Sequence, residues 1–301
     1  MDRPLVIHNP RSGSGEHDDA VLKRVELLDY AIEQTAAAGD AITLARDAAD
    51  SGRSTIVAAG GDGTVNEVVR GIDAAGAFED VTLGIIPLGT GNNFAGQLGI
   101  PDLDTAFSVL QDGERRAIDL GRANDRPFVN SCVAGLTADA SDETSPAMKD
   151  RLGVLAYLVT TLRSLSGYDS PRITIEGVKD APETEAWTGE ALGVLIGNGR
   201  RFAAQGGTQA DMEDGRFEIT VIRNMPAIDL MSEAVSHGLL GGDAEDVVRF
   251  RTASLTVRVH DQEAIRFSLD GEIVQERQLS LDVRPRTVTV AVGDTYEPDP
   301  D

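Results

Sequence analysis

The chain has 301 residues, 41% of them hydrophobic, which suits two domains with sizeable cores and is too apolar for a disordered protein. Its formal net charge is −23, from 50 acidic and 27 basic residues, and only Lys23, Lys149 and Lys179 are lysines. That balance excludes nucleic acid as a partner and simple electrostatic capture by anionic lipid. It reads as a halophile's surface, because at molar salt the Debye length is about 3 Å and carboxylate repulsion is screened.

The single cysteine, Cys132, excludes an internal disulfide and a cysteine zinc site, and the four histidines (His8, His17, His237, His260) form no HxxxH pair. A reducing cytoplasm is the expected compartment. The N-terminus shows no signal-peptide pattern, and the longest mostly apolar run, 153-GVLAYLVTTL-162, is too short to span a bilayer.

Up to Asp119, short apolar runs alternate with helical patterns, the signature of a parallel α/β layer. Leu5–His8 reads as a strand and 9-NPRSGSG-15 as a loop. Asp18 to Leu28 reads as a helix with Val21, Leu22, Val25 and Leu28 on one face. Residues 30–38 are ambiguous, a weak strand being one reading. Asp40 can cap a second helix that carries Leu44, Ala45 and Ala48 and ends at Gly52. Thr55–Ala59 is a strand. Thr64 and Glu67 have the spacing of a capping box, which starts the next helix right after Gly63, with Val65, Val68, Val69 and Ile72 as its buried stripe. Val81–Ile86 is a further strand, and a helix capped by Asn92 or Asn93 begins there.

After Asp119 the texture changes to alternating runs at 127–134, 172–177, 190–197, 216–222, 254–260 and 286–292, which favour a largely antiparallel β domain. Helical stretches interrupt it near Met148–Leu165 and Ile228–Leu239, and the tail Glu297–Asp301 is expected to fray. The domains expected are 1–118, α/β and nucleotide-binding; 119–285, β-rich; and 286–301, a C-terminal strand and tail that can return to the first.

Three junctions carry chemistry. In 55-TIVAAGGDGTVNEVVRGI-72 a strand runs into Gly60-Gly61-Asp62-Gly63 and then a helix. Glycines there let a phosphate approach free N–H groups at a helix start. Asp62 cannot favour a bare phosphate; it suits a cation such as Mg²⁺ between carboxylate and phosphate, or a bound hydroxyl. The stretch 83-LGIIPLGTGNNFAG-96 repeats the design with Gly89, Thr90 and Gly91, and 6-VIHNPRSGSG-15 places Asn9, Ser12, Gly13 and Ser14 after the first strand. Three such loops at the carboxyl ends of parallel strands point to a phosphate site. No lysine follows a glycine, so there is no Walker A loop, and no GxGxxG occurs.

These residues, Asn9-Pro10-Arg11-Ser12-Gly13, Gly60 through Glu67, and Pro87 through Ala95, resemble the diacylglycerol kinase catalytic domain family of soluble lipid kinases, which includes sphingosine kinases. The resemblance continues through Gly197-Asn198-Gly199, Ala210 through Gly215, and Ser268-Leu269-Asp270-Gly271-Glu272. It implies an α/β domain with a parallel sheet, as in NAD kinases and diacylglycerol kinases, followed by a mainly antiparallel β-sandwich. It implies ATP and Mg²⁺ as cofactors, with nucleotide held by Asn9, Ser12, Gly13, Gly60, Gly61, Gly63, Thr64, Glu67, Gly89, Thr90, Asn92 and Asn93. Asp270 is similar to the general base for the lipid hydroxyl. Asp62 and Glu272 would organise the active-site Mg²⁺, and a separate Mg²⁺ would map onto Asp214 with the main chain of Asp211 and Arg216.

The partners implied are a lipid substrate and a transient, peripheral membrane surface; a homodimer stays an open option. Two departures stand out: Asn93 where many members carry aspartate, and a loop 200-RRFAAQGG-207 with fewer glycines than is usual. By position alone, Asp270-Gly271 is a hairpin turn signal. The Gly-Gly-Asp-Gly-Thr turn also occurs in NAD kinases and phosphofructokinases. NAD kinase, or a nucleotide- or lipid-binding regulator that has lost turnover, remain the alternatives to an ATP-dependent lipid kinase.

Overall fold

The computed structural model describes residues 3–13, 18–135, 170–177, 187–202, 209–224 and 247–300. The helical stretches expected near Met148–Leu165 and Ile228–Leu239 lie outside these residues.

Strand β1 (Leu5–His8) is buried at every position and pairs in parallel with β2 (Ala31–Gln34) on one side and β3 (Thr55–Gly60) on the other. Strand β4 (Thr82–Pro87) runs parallel to β3, giving the order β2-β1-β3-β4. Apolar side chains on both faces of β3 follow from helices covering both sides of a parallel sheet. The helices are α1 (Asp18–Leu27), α2 (Asp40–Asp50), α3 (Asp62–Ala75), the short α4 (Asn93–Gln97) and α5 (Leu103–Asp112). In α3 the stripe Val65, Val68, Val69 and Ile72 is fully buried, as its spacing requires. Gly71 lets α2 cross closely: a Cβ there would sit 2.4 Å from the Ile42 carbonyl oxygen. Helix α5 follows Gly99 and Pro101, and Asp102 caps it, its carboxylate accepting from Thr105 N at 2.8 Å.

The second half is a β-sandwich. One layer comprises β5 (Glu114–Ala123), β6 (Arg126–Phe128), β8 (Arg172–Gly177), β12 (Ser254–Val259) and β15 (Gln278–Val292). The other has the order β14 (Glu272–Glu276), β13 (Ile265–Leu269), β7 (Ser131–Gly135), β9 (Trp187–Gly197), β10 (Phe217–Arg223), β11 (Val247–Thr252). β9 belongs to both, pairing with β8 over its first four residues and with β7 and β10 thereafter. Between the layers lie Val257, Leu281, Ile196, Phe217 and Phe267, and the rings of Phe128 and Phe217 stack across the gap at 5.6 Å.

The fifteen-residue β15 joins the halves. It pairs antiparallel with β12 and β5 and, at Val290–Leu83, parallel with β4. A register shift between Arg284 and Val288, with Arg286 at φ 48°, bends it midway. The tail does not fray as expected: Tyr296 is buried and donates its hydroxyl to Glu213 Oε1 at 3.1 Å, and Arg201 Nη2 donates to the Pro300 carbonyl at 3.0 Å. Among the described residues no helix is long and apolar enough to cross a membrane.

Candidate functional site

The ends of β1, β3 and β4 are tied side by side, Asn9 N donating to Ala59 O and Leu88 N to Gly60 O, each at 2.9 Å. The three loops then interlock. Gly13 adopts φ +63°, and a Cβ there would stand 2.3 Å from the Leu88 carbonyl oxygen; a Cβ on Gly89 would stand 2.5 Å from Gly61 Cα. Gly60 leaves room for the Thr64 side chain, whose Oγ1 accepts from Asn9 Nδ2 at 3.1 Å. Ser12 Oγ accepts from Gly61 N at 3.3 Å. These glycines are demanded by protein contacts. Gly63 is not: nothing lies within 4 Å of where its Cβ would be.

The space beside Gly63 belongs to a cavity of about 350 Å³. Asn9, Arg11 and Ser12 line it from the first loop, Gly61, Gly63, Thr64 and Glu67 from the start of α3, and Thr35 to Ala38 from the loop after β2. The last segment went unnoticed in the sequence; its only signal is a run of small residues, Thr-Ala-Ala-Ala-Gly, after an ambiguous strand. The expected capping box is corrected. Helix α3 begins at Asp62, not after Gly63, with Gly61 as its cap residue. Thr64 Oγ1 serves Asn9, and Glu67 reaches out of the helix to accept from Gly39 N at 2.9 Å, fixing the loop that walls the cavity. Thr64 N and Val65 N donate to the Gly61 carbonyl at 2.9 and 3.1 Å, which leaves the Asp62 and Gly63 N–H groups without acceptors among the described residues, at the positive dipole end of α3.

Asp62 turns away from the cavity lining to the start of α4. Its Oδ1 accepts from Phe94 N at 2.9 Å, and its Oδ2 from Asn93 N at 3.0 Å and Asn93 Nδ2 at 3.1 Å. Asn92, at φ 44°, is spent on its own turn, exchanging side-chain hydrogen bonds with the Gly89 N–H and carbonyl at 2.8 and 2.7 Å. Thr90 is exposed on that turn.

Asp270, at φ 48° in the tight turn between β13 and β14, is held by four donors: Val129 N at 2.8 Å, Asn130 N at 3.0 Å, Ser131 N at 2.8 Å and Asn66 Nδ2 at 3.3 Å. Burial pushes its carboxyl up to about 6 against the pull of these donors. Asn66 lies one turn along α3 from Asp62, so one helix links both acids. The same helix docks on the sandwich through Arg70, which reaches Glu272 Oε2 at 2.6 Å, and Asp73, which receives Arg122 at 2.6 Å. Arg126 holds the other Glu272 oxygen at 2.8 Å. Two guanidiniums therefore occupy the carboxylate assigned to Mg²⁺ from sequence.

Asp211, Asp214 and Arg216 form a turn elsewhere, Asp211 Oδ1 accepting from Glu213 N at 2.9 Å and Asp214 Oδ1 from Arg216 N at 2.8 Å. The turn packs on Asp119, a buried carboxylate missed in the sequence, whose signal is an aspartate inside the apolar run Ile118-Asp119-Leu120. Asp119 accepts from Gly215 N at 2.7 Å and from Arg286 N, at the bend of β15, at 2.8 Å. Burial, reinforced by the fields of Asp214 and Asp211, pushes it up to about 6.

Among the described residues no three histidine, cysteine or acidic side chains are placed to hold a metal ion. Asp62 Oδ1, which among these residues accepts from Phe94 N alone, keeps a lone pair that a metal-bound water could meet.

Residues 3–123 match the diacylglycerol kinase catalytic domain, and residues 130–292 match the YegS C-terminal NAD kinase beta sandwich-like domain. A Pseudomonas aeruginosa protein named as a probable lipid kinase, YegS-like, is 34% identical over 95% of this chain and 92% of its own length. A diacylglycerol kinase of Bacillus subtilis is 31% identical over 90% of both chains. A crystal structure of a diacylglycerol kinase from Bacillus anthracis superposes over 98% of both chains with a TM-score of 0.72 at 21% identity, a likeness of fold.

Proposed function

Because the chain belongs to the diacylglycerol kinase catalytic domain family, we propose that it is an ATP-dependent lipid kinase that moves the γ-phosphoryl group to a hydroxyl of diacylglycerol or a related lipid. One observation carries this reading. Helix α3 starts under a cavity whose floor is an unobstructed glycine, and its next turn grips a half-buried acid from the β half.

The triphosphate lies against the α3 N-terminus, where free amides and the helix dipole meet negative charge. Asn9 holds Thr64 and Ser12 takes the Gly61 N–H, which fixes the turn with the Asp62 and Gly63 amides open. Asp62, oriented by Asn93 and Phe94, would hold Mg²⁺ through water, and the ion would supply charge neutralisation for the phosphates. Asp270 takes the proton of the attacking hydroxyl. A carboxyl near 6 is charged at neutral pH and basic enough to accept that proton late in transfer. Its four donors fill the four lone-pair positions of a carboxylate, so the hydroxyl must displace one of them. Asn66, at 3.3 Å, is the longest and weakest bond and the one that gives way. Glu272 acts as an ionic latch between α3 and the sandwich through Arg70 and Arg126.

The test is incubation with labelled ATP, Mg²⁺ and a total lipid extract at high salt. Labelled lipid that vanishes in Asp270→Asn is expected. Formation of NADP from NAD, with no labelled lipid, would overturn the reading in favour of an NAD kinase.

A further inference from the structure

Arg200 is a cation that the chemistry so far does not use. Arg70 and Arg126 pair with Glu272, Arg122 with Asp73, and Arg201 with Glu218 at 3.7 Å, while Arg11 on the cavity wall is exposed to solvent. Arg200 has no carboxylate within ion-pair distance among the described residues, in a chain with 50 acidic side chains. Its guanidinium lies over the ring of Phe202, 5.4 Å from the centroid. Burial lowers its pKa from the ordinary guanidinium value, and the negative field of Asp62 pulls the other way. Arg200 is partly buried, and a partly desolvated charge with no carboxylate partner has a bound anion as its natural complement.

The backbone fixes where this cation stands. Asn198 N and Gly199 N donate to Asn130 O at 2.9 and 3.0 Å. Gly199 is wedged so tightly that a Cβ would meet Val129 O at 3.0 Å and the Phe94 ring at 3.3 Å. Phe94 is the residue whose N–H holds Asp62, while Val129 and Asn130 hold Asp270. Arg200 thus follows directly on the point where the supports of the two acids touch. The loop is steadied from behind by the Arg200–Gln209 bridge and by Arg201 on the Pro300 carbonyl.

We propose that Arg200 grips the terminal phosphate of the bound nucleotide from the β half, opposite the amides of α3, as a catalytic residue of the transfer; this rests on the kinase reading. In the step itself the acceptor oxygen bonds to the γ-phosphorus as the bond to the bridging oxygen breaks. The bridging oxygen leaves with its electron pair on ADP, and the hydroxyl proton goes to Asp270. A planar guanidinium can bind two oxygens of the transferring group and neutralise them without moving a proton.

The experiment compares ATP and ADP binding by calorimetry, with Mg²⁺ at high salt, for wild type, Arg200→Ala and Arg200→Lys, alongside the labelled-lipid assay and thermal melting. A residue on the terminal phosphate makes Arg200→Ala lose ATP affinity about tenfold with ADP affinity unchanged, and kcat falls about 100-fold, the cost of one preorganised charge donor. Arg200→Lys recovers part of both. Equal losses for ATP and ADP, or no loss, overturn the inference. Should Arg200→Ala fail to fold, Arg200→Lys and Arg200→Gln carry the same comparison, and an unchanged ATP-to-ADP ratio in both refutes it. Wild type that labels no lipid, yet discriminates ATP from ADP through Arg200, defeats the lipid-kinase reading and leaves this inference standing. Lipid labelled equally by wild type and the Arg200 variants does the reverse.

Discussion

Asn66→Ala should move the acidic limb of the pH–rate profile upward. The carboxyl of Asp270 stands at about 6, raised by burial and held down by three backbone N–H groups and the Asn66 amide. The active form is the ionised one, so kcat/KM rises with pH and levels off above about 6. Removing a donor to a charged group forfeits roughly 1.5–3 kcal/mol. At 3.3 Å this bond belongs at or below the low end of that range. Because one pKa unit corresponds to 1.36 kcal/mol, the limb should rise by about one unit, to near pH 7. The assay is kcat/KM for the lipid from pH 5 to 9, run on wild type and Asn66→Ala, with Asn66→Asp as a second variant whose added charge should raise the limb further. The wild-type plateau should be approached again at high pH. A uniform loss across all pH values, with the limb unmoved, would refute the assignment of Asp270 as the titrating base or of Asn66 as its donor.

Gly63→Ala should leave the fold intact or stabilise it by about 0.4–1 kcal/mol, since its backbone is not left-handed and the new methyl meets nothing within 4 Å. Nucleotide affinity should fall all the same; a titration showing full affinity would remove the phosphates from this turn. Asn93→Asp puts a second carboxylate where an amide nitrogen now lies 3.1 Å from Asp62 Oδ2. Nucleotide binding should then weaken without Mg²⁺ and depend more steeply on its concentration, and an unchanged Mg²⁺ titration contradicts the shared site. Truncation after Tyr296 removes the Pro300 carbonyl from Arg201 and the Glu297 main chain from Gln209. Hydrogen exchange should quicken at residues 197–202 while Tm moves little; protection equal to wild type would mean the tail does not steady that loop.

The parallel layer was legible because its cues are local. A strand, a glycine turn and a helical stripe occupy eighteen consecutive residues from Thr55 to Ile72, and the structure reproduces all three with only the helix start displaced. The strands that escaped notice carry charges in an otherwise plain pattern. β5 opens on Glu114-Arg115-Arg116, and β11 alternates Arg249 and Arg251 with its apolar positions. Only the end of β15 was read, because Pro285 and the left-handed Arg286 interrupt the alternation where the strand bends toward Asp119.

The uses to which the acids are put were not legible, because each is set by partners far away in the sequence. Glu272 meets Arg70 and Arg126 across 202 and 146 residues, Asp270 meets Asn66 across 204, and Asp119 meets Arg286 across 167. A carboxylate ringed by amides is held ionised or neutral by its donors, one between two guanidiniums is an ionic latch, and one on a helix start with a lone pair to spare is free to accept a further donor. Sequence can supply the acid and the turn it sits on, but only the donors decide among these. Helix α3 supplies donors to Asp270 and Glu272, as Asn66 and Arg70, within two turns of the amides proposed to meet phosphate. Any rotation of α3 that adjusted the proposed phosphate site would therefore also change the Asn66 distance to Asp270, and so would couple nucleotide binding to the strength of the base through one rigid element.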